Sequence, residues 1–171
     1  MTATASPLGV YVHWPFCAAK CPYCDFNSHE WRTDATASKK ADSELSSELQ
    51  SAYLDALLAD LDTSLPLVWG RPIQSVFIGG GTPSLFSAAS MARLISDLRA
   101  RLSLLPGAEI SLEANPGTFE KNRFRAFREA GVTRLSVGVQ SFDDAHLHAL
   151  GRVHDAQQAW DAVQEASKAF D

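Results

Sequence analysis

Three cysteines lie within eight residues, at Cys17, Cys21 and Cys24, and the rest of the 171-residue sequence contains none. Iron–sulfur clusters are held by cysteine thiolates, and four thiolates is the usual number. Three thiolates can hold three corners of a [4Fe–4S] cube, so that one iron has no protein ligand. The count and the spacing therefore predict an iron–sulfur site that stays open to another ligand.

Two other kinds of site use similar residues. Three clustered cysteines with His13 or His29 can form a Cys3His zinc site, although zinc knuckles usually pair two ligands with two more beyond a long spacer. The segment from Cys21 to Cys24 has the Cys-x-x-Cys spacing of thioredoxin-like redox motifs, but such a motif needs no cysteine upstream. A disulfide framework is disfavoured because the cysteines are odd in number and tightly spaced.

The composition is that of an ordinary soluble globular protein, with 46% hydrophobic and 20% charged residues. The net charge of −5 gives no basic surface of the kind that binds nucleic acid. The first residues lack the basic and apolar parts of a signal peptide, and no apolar run approaches the ~18 residues of a membrane helix. Because unpaired cysteines fit a reducing compartment, we expect a cytoplasmic location, no transmembrane segment and no nucleic-acid partner.

Strand and helix signals alternate along the chain, which predicts an α/β fold with right-handed βαβ units and a parallel sheet. Four short apolar runs predict the strands, over Gly9–Trp14, Ser75–Ile78, Glu109–Glu113 and Arg134–Val139. Apolar residues at helical spacing predict helices between and after them. The predicted N-caps of the helices are Ser87, Thr118 and Asp155, and the predicted helix ends are Pro106-Gly107 and Gly131. In the last helix, the spacing predicts that Trp160, Val163 and Phe170 face inward.

Alternation of side chains along these strands separates an aliphatic face from a polar one. Glu113 and Gln140 lie on the polar face at the carboxyl ends of their strands, where α/β sheets and barrels bind ligands. Tyr11 and His13 share the polar face of the first strand. Each of these residues can also be an ordinary strand residue with a satisfied polar tip. The glycines of Gly79–Gly81 can form a simple strand-to-helix turn, and they lack the Gly-Lys-Ser/Thr ending of a nucleotide-binding loop.

Five segments resemble, in the same order, the signatures of one family. They are Tyr11-x-His13-x-Pro15-Phe16-Cys17-x3-Cys21-x2-Cys24, Gly79–Ser84, Glu113–Pro116, Gly138–Phe142 and Leu150–Arg152. This is the pattern of radical S-adenosylmethionine (SAM) proteins of the oxygen-independent coproporphyrinogen III oxidase-like family. The resemblance implies an α/β fold of the partial (βα) barrel type.

The resemblance also assigns a role to each site residue. It implies that Cys17, Cys21 and Cys24 bind a [4Fe–4S] cluster whose unique iron binds the amino and carboxylate groups of SAM. The implied SAM contacts are Tyr11, Gly80, Gly81, Thr82, Glu113, Gln140 and Arg152. The forked guanidinium of Arg152 would hold the carboxylate, and Glu113 the ribose hydroxyls. Phe16 and Tyr23 would shield the cluster from solvent.

A single position separates two branches of the family. Coproporphyrinogen oxidases proper carry a further cysteine two residues after the third, and Phe26 occupies that position here. The ending Asp25-Phe26-Asn27 resembles the heme-chaperone branch, which implies heme or porphyrin as a ligand beside SAM, an electron donor and a heme acceptor protein. The alternative is an oxidase that oxidatively decarboxylates two propionates of coproporphyrinogen III.

The expected organisation follows from the same family. Residues 1–8 form an N-terminal tail, and residues 9–171 form the radical SAM core with a polar insertion near 30–43. The sequence has about four βα units, whereas the family core has six and a C-terminal domain follows it. We therefore expect an N-terminal fragment of a longer parent, in which heme would be bound.

Overall fold

The structure is a computed structural model that describes residues 6–31, 46–117 and 123–170. Most of the predicted polar insertion and the predicted N-cap Thr118 lie outside the described residues. Within the described ranges the chain alternates strands and helices, and the predicted α/β fold with a parallel sheet is confirmed.

The main sheet contains four parallel strands in the order of the sequence. They are β1 (Leu8–Trp14), β4 (Pro72–Gly80), β5 (Ser103–Ala114) and β6 (Arg134–Val137). A second, small parallel pair consists of β2 (Phe16–Cys17) and β3 (His29–Glu30). Parallel neighbours that follow the chain order, each reached by a crossover, are the arrangement of a partial (βα) barrel.

The helices follow the strands, and all but the one that begins at Phe124 start at a side-chain N-cap. They are α1 (Ser47–Val68), α2 (Ala88–Arg101), α3 (Phe124–Ala130), α4 (Asp144–Ala149) and α5 (Ala156–Ala169), with a 3₁₀ turn at Pro83–Leu85. Ser87 and Asp155 are N-caps as predicted, and Asp155 forms a capping box with Gln158. Gly131 ends α3 in the left-handed conformation, also as predicted. Among the described helices, none is long and apolar enough to cross a membrane.

The aliphatic face of the sheet packs against the helices in one hydrophobic cluster. Its buried members from the strands include Val12, Ile78, Ile110 and Leu112, and its members from the helices include Leu54, Leu94, Phe124 and Phe127. Burial of each such side chain stabilises the fold by about 1.5–3 kcal/mol. This packing fixes the carboxyl ends of β1, β4, β5 and β6 relative to one another, and these ends position the site.

Two local predictions were wrong. Helix α2 ends at Arg101 rather than at Pro106-Gly107, because β5 already begins at Ser103 and the glycine lies in a register shift of that strand. Trp160 does not face inward: it is 50% exposed and stacks on Phe142, with ring centroids 4.3 Å apart. The inward face of α5 is formed by the small residues Ala159 and Ala162, which allow close packing.

Candidate functional site

The three cysteines lie on the segment of residues 15–28, here called the cysteine loop, which leaves the carboxyl end of β1 and returns to β3. Cys17 is the last residue of the short strand β2 within this loop. The loop is closed by its own backbone, since Cys24 N–H donates to the Cys21 carbonyl (3.0 Å) and Trp31 N–H donates to the Cys17 carbonyl (2.8 Å). The Lys20 ammonium donates to the carbonyls of Phe26 (3.1 Å) and Ser28 (3.0 Å). These bonds hold the loop from within.

His13 anchors the same loop to β1. Its Nε2–H donates to the Asn27 carbonyl over 2.8 Å, because a carbonyl oxygen can only accept. In the neutral ring the Nδ1 accepts from the Tyr11 hydroxyl, 3.1 Å away. Both ring nitrogens of His13 are therefore engaged within the protein, which disfavours His13 as the histidine of a Cys3His zinc site.

The glycines after β4 pack directly against the start of the cysteine loop. Gly81 N–H donates to the Trp14 carbonyl (2.6 Å), and Thr82 N–H donates to the Phe16 carbonyl (2.7 Å). A Cβ atom on Gly81 would overlap the Phe16 carbonyl oxygen, and one on Gly80 would lie 2.7 Å from the Trp14 oxygen. The glycines are required here by the close approach of two backbone segments.

Arg152 joins the cysteine loop to the ends of β5 and β6. Its Nη1 donates to the Cys21 sulfur (3.1 Å), and its Nη2 donates to the Asn115 side-chain oxygen (2.8 Å) and the Gly138 carbonyl (2.9 Å). The Nε of Arg152 is buried and has no hydrogen-bond partner among the residues that the structure describes. A buried N–H without an acceptor is costly, so an acceptor brought to this group would be stabilising.

Asn115 carries this network across to the glycine turn. Its side-chain nitrogen donates to the Thr82 hydroxyl over 3.1 Å, while its oxygen accepts from Arg152. The two halves of one amide thus link Thr82, which follows β4, to Arg152, which in turn binds the Gly138 carbonyl after β6. Asn115 lies two residues after Glu113 and so shares its face of the chain, a spacing from which its position could have been predicted.

Glu113 lies at the carboxyl end of β5, as the strand alternation predicts. One of its carboxylate oxygens accepts a hydrogen bond from Gly80 N–H at 3.0 Å. Partial burial and the charge of Glu113 both raise the pKa of Tyr11 above its usual range. Tyr11 itself is 56% exposed and stacks on Phe77.

One cavity of about 330 Å³ collects these groups, a volume within the range of small-molecule sites. All of the predicted site residues except Tyr11 line it, namely Cys17, Cys21, Cys24, Gly80, Gly81, Thr82, Glu113, Gln140 and Arg152. Tyr23 and Phe26 also line the cavity, whereas Phe16 packs into an aromatic cluster with Trp14 and Trp31. Asn115 and Ser136 are lining residues that the sequence reasoning did not select.

The donor set of this cavity fits an iron–sulfur cluster in its chemistry. Within the described ranges, no three His, Cys, Asp or Glu side chains converge on a point that would hold a single metal ion. The thiolates of a cluster bond to different irons, so they need to share a cavity rather than to converge. The three thiols share this one, and Arg152 lies in the same wall.

Similarity to known proteins agrees with this geometry. The chain is 45% identical over 161 residues to the heme chaperone HemW of Escherichia coli, an alignment that covers 94% of this chain and 39% of HemW. It is 38% identical over 162 residues to the bovine mitochondrial radical S-adenosyl methionine domain-containing protein 1, covering 94% of this chain and 33% of that protein. The chain therefore spans about two-fifths or less of these relatives.

A solved structure is also similar. Coproporphyrinogen III oxidase (HemN) from Escherichia coli, described as a radical SAM enzyme, superposes with a TM-score of 0.79 and is 30% identical. The match covers 96% of this chain and 35% of that one. Residues 11–171 match the Radical SAM superfamily, and this range holds the three thiols, the glycine turn and Arg152. The fold, the cavity and the matched residues agree: the chain belongs to the radical SAM superfamily.

Proposed function

We propose that this chain is the cluster- and SAM-binding part of a heme-chaperone-like radical SAM protein, which binds heme in its full-length form and delivers it to an acceptor protein. The single observation that carries the proposal is the meeting of three thiols and Arg152 in one cavity. Within the chain, residues 9–171 would form the core domain after a short tail at 1–8, with the polar insertion near 30–43. We place the protein in the cytoplasm, with an electron donor as a further partner.

The wall of the cavity suggests which residue holds which group. Cys17, Cys21 and Cys24 would hold a [4Fe–4S] cluster, which when bound supplies the single electron that cleaves SAM in this superfamily. The Nε–H of Arg152 has no acceptor among the described residues, so it would donate to a carboxylate oxygen of SAM without breaking an existing hydrogen bond. Glu113 has a second carboxylate oxygen that can accept from ribose hydroxyls while the first keeps Gly80 N–H.

Gln140 and the glycine turn complete this proposed SAM site. Gly80 and Gly81 line the cavity, so their backbone carbonyls would accept from the amino group of the ligand. Tyr11 is the least supported of the proposed SAM contacts, because it lies away from the cavity lining. Its hydrogen bond to His13 instead suits a role in supporting the cysteine loop.

Two observations favour the chaperone function over the oxidase function: one residue of the cysteine loop, and the similarity of the chain to HemW proteins. Phe26 lines the cavity where the oxidases of this family carry a further cysteine. The similarity to HemW proteins extends over nearly the whole chain at 43–45% identity in two bacteria. The alternative, oxidative decarboxylation of coproporphyrinogen III, is favoured by the fold match to HemN at 30% identity.

One experiment separates the two functions. The full-length protein is loaded with its cluster under anaerobic conditions and is given SAM, a reductant and coproporphyrinogen III, and the porphyrin products are analysed. In parallel the same preparation is titrated with heme, and the transfer of heme to an acceptor hemoprotein is followed by absorption. The chaperone predicts stoichiometric heme binding and transfer without decarboxylated product.

The controls make the result specific. A Phe26→Cys variant restores the cysteine position of the oxidases, so it tests whether this position alone confers decarboxylation. If the wild-type protein releases decarboxylated porphyrin in repeated turnovers and binds no heme, its function is that of an oxidase and the chaperone proposal is wrong.

A further inference from the structure

The chain leaves β6 through a tightly wound segment that carries Gln140 into the cavity. Val139 N–H donates to the Val137 carbonyl (2.9 Å), and Ser141 N–H donates to the Val139 carbonyl (2.9 Å). Both hydrogen bonds span only three residues. The second encloses Gln140, which has a φ of 66°.

This conformation is strained for a residue with a side chain. Gln140 is the residue other than glycine for which a positive φ is recorded among the described residues. A three-residue turn with a positive φ at its centre is the rare, strained form. Such strain is costly and persists only where the surrounding structure enforces it. The Val139 carbonyl accepts the hydrogen bond that closes the turn around Gln140. Contacts from outside the turn must therefore hold this carbonyl in place.

Two side chains from the segment after α4 hold this turn. Arg152 donates to the Gly138 carbonyl over 2.9 Å, and His154 Nε2 lies 3.1 Å from the Val139 carbonyl oxygen. Two consecutive carbonyls are thus fixed by residues two apart in sequence. The Val139 carbonyl accepts both from Ser141 N–H and from His154, so it is held from two directions.

The environment of His154 fixes which of its nitrogens carries hydrogen. His154 is 4% exposed, and a carbonyl oxygen can only accept, so Nε2 must be the donor. Its Nδ1 is buried and has no partner in the part of the chain that the structure describes. A second N–H there would be an unsatisfied donor, which favours the neutral ring. Burial also lowers the pKa of His154.

We propose that His154 is a positioning residue for SAM recognition, because its Nε2–H holds the Val139 carbonyl and thereby keeps Gln140 in its strained conformation facing the cavity. The inference rests on the proposed SAM site, in which Gln140 is a contact. His154 itself does not line the cavity, so its effect on a ligand must pass through the turn.

The test uses two variants of the full-length, cluster-loaded protein. His154→Gln can place an amide N–H at the distance of Nε2, whereas the shorter His154→Asn cannot reach the Val139 carbonyl. Hydrogen exchange of the Ser141 amide is measured without SAM, SAM affinity is measured by calorimetry, and iron and sulfide are counted in each variant. A Gln140→Ala variant reports how much SAM affinity depends on Gln140.

We expect His154→Asn to speed exchange at Ser141 and to weaken SAM affinity about 2- to 10-fold, which is the loss of one neutral hydrogen bond. His154→Gln should restore both values toward wild type, with the iron content the same in all variants. Equal Ser141 exchange or equal SAM affinity in the Asn and Gln variants would overturn the proposal. A wild-type protein that holds its cluster but binds no SAM would instead remove the proposed function, while Ser141 exchange would still report on the turn.

Discussion

Arg152 donates a hydrogen bond to the sulfur of Cys21, over 3.1 Å and across 131 positions of sequence. The same guanidinium binds Asn115 and the Gly138 carbonyl, so it connects the loop after β1 to the ends of β5 and β6. The cysteine loop is therefore not held by its own residues alone. Its position depends on a residue that lies beyond the last strand that the structure describes.

Replacing Arg152 by lysine should loosen this connection. An ammonium is a compact point charge and cannot reproduce the planar fork that reaches four acceptors, which include the Tyr23 hydroxyl at 3.5 Å. Hydrogen bonds of charged groups contribute about 1.5–3 kcal/mol each, so we expect a loss of that order in the free energy of unfolding. Urea unfolding of the full-length protein measures it. Arg125→Lys is the matched control, because Arg125 forms an exposed pair with Glu129 on α3 and should change stability by less than about 1 kcal/mol.

Cys21→Ala should abolish most cluster binding, because the chain has no spare cysteine to replace the lost thiolate. Anaerobic reconstitution of the wild-type protein should give about four irons and four sulfides per chain, counted by colorimetric assay and visible absorption. Ser28→Ala, which removes a buried hydroxyl of the same loop that lies 4.0 Å from the Cys24 sulfur but is not a cluster ligand, should keep the cluster. Stoichiometric zinc without sulfide in the wild-type protein would contradict the iron–sulfur assignment.

Glu113→Ala should weaken SAM binding by about one to two powers of ten, since losing one charged acceptor costs roughly 1.5–3 kcal/mol. The cluster should stay, because Glu113 is on β5 and the thiolates are on the loop after β1. Calorimetric titration with SAM, together with iron content, measures both. Glu109→Gln is the control on the same strand, because Glu109 is exposed and lies outside the cavity lining. Unchanged SAM affinity would leave Glu113 with the structural role of accepting from Gly80.

Gly81→Ala should destabilise the fold through overlap of the new methyl group with the Phe16 carbonyl. Because the obstacle is backbone rather than a flexible side chain, we expect a cost of about 1–3 kcal/mol, the range for overpacking. Gly107→Ala is informative beside it, since that site has a positive φ of 78° but no atom within 4 Å of the added Cβ. Thermal unfolding of the two variants compares the cost of steric overlap at Gly81 with the cost of backbone strain at Gly107. A smaller loss of stability in Gly81→Ala than in Gly107→Ala would mean that the cysteine loop moves to accommodate the methyl group.

The parts of this site that the sequence predicted are those governed by local periodicity. Alternation along β5 placed Glu113 on the polar face of the sheet, where it lines the cavity, and the N-caps Ser87 and Asp155 followed from side-chain chemistry at helix starts. The glycine turn was recognisable from its composition. Its physical reason, the approach of the Phe16 carbonyl, depends on how β1 and β4 pair.

The parts that the sequence did not predict depend on long-range packing. No local rule links Arg152 to Cys21, because their contact exists only once β6 has joined the sheet. Trp160 was expected inside from helical spacing, but Ala159 and Ala162 allow α5 to pack closely and leave the larger ring outside, on Phe142. Helical spacing defines the possible faces of a helix, whereas the sizes of the residues on those faces decide which face packs closely and is buried.

The stability of the protein should fall on mild acidification because of His154. Burial lowers its pKa most, the charge of Arg152 acts in the same direction, and the hydrogen bond to Val139 and the charge of Asp155 oppose them. The unfolded chain takes up a proton near the ordinary pKa of 6.5, whereas the folded chain resists it. The contribution is thus fully present above that pH and is lost as the pH falls from there through the lower folded-state pKa.

Urea unfolding of the wild-type protein and of His154→Gln, at about pH 7.5 and about pH 5.5, measures this contribution. The glutamine variant does not titrate, so its free energy of unfolding should fall less between the two pH values than that of the wild type. His148→Gln removes an exposed histidine of α4 and should keep the wild-type dependence. Equal pH dependence in the wild type and in His154→Gln would mean that the buried ring accepts its second proton without cost, and that its Nδ1 finds an acceptor in solution.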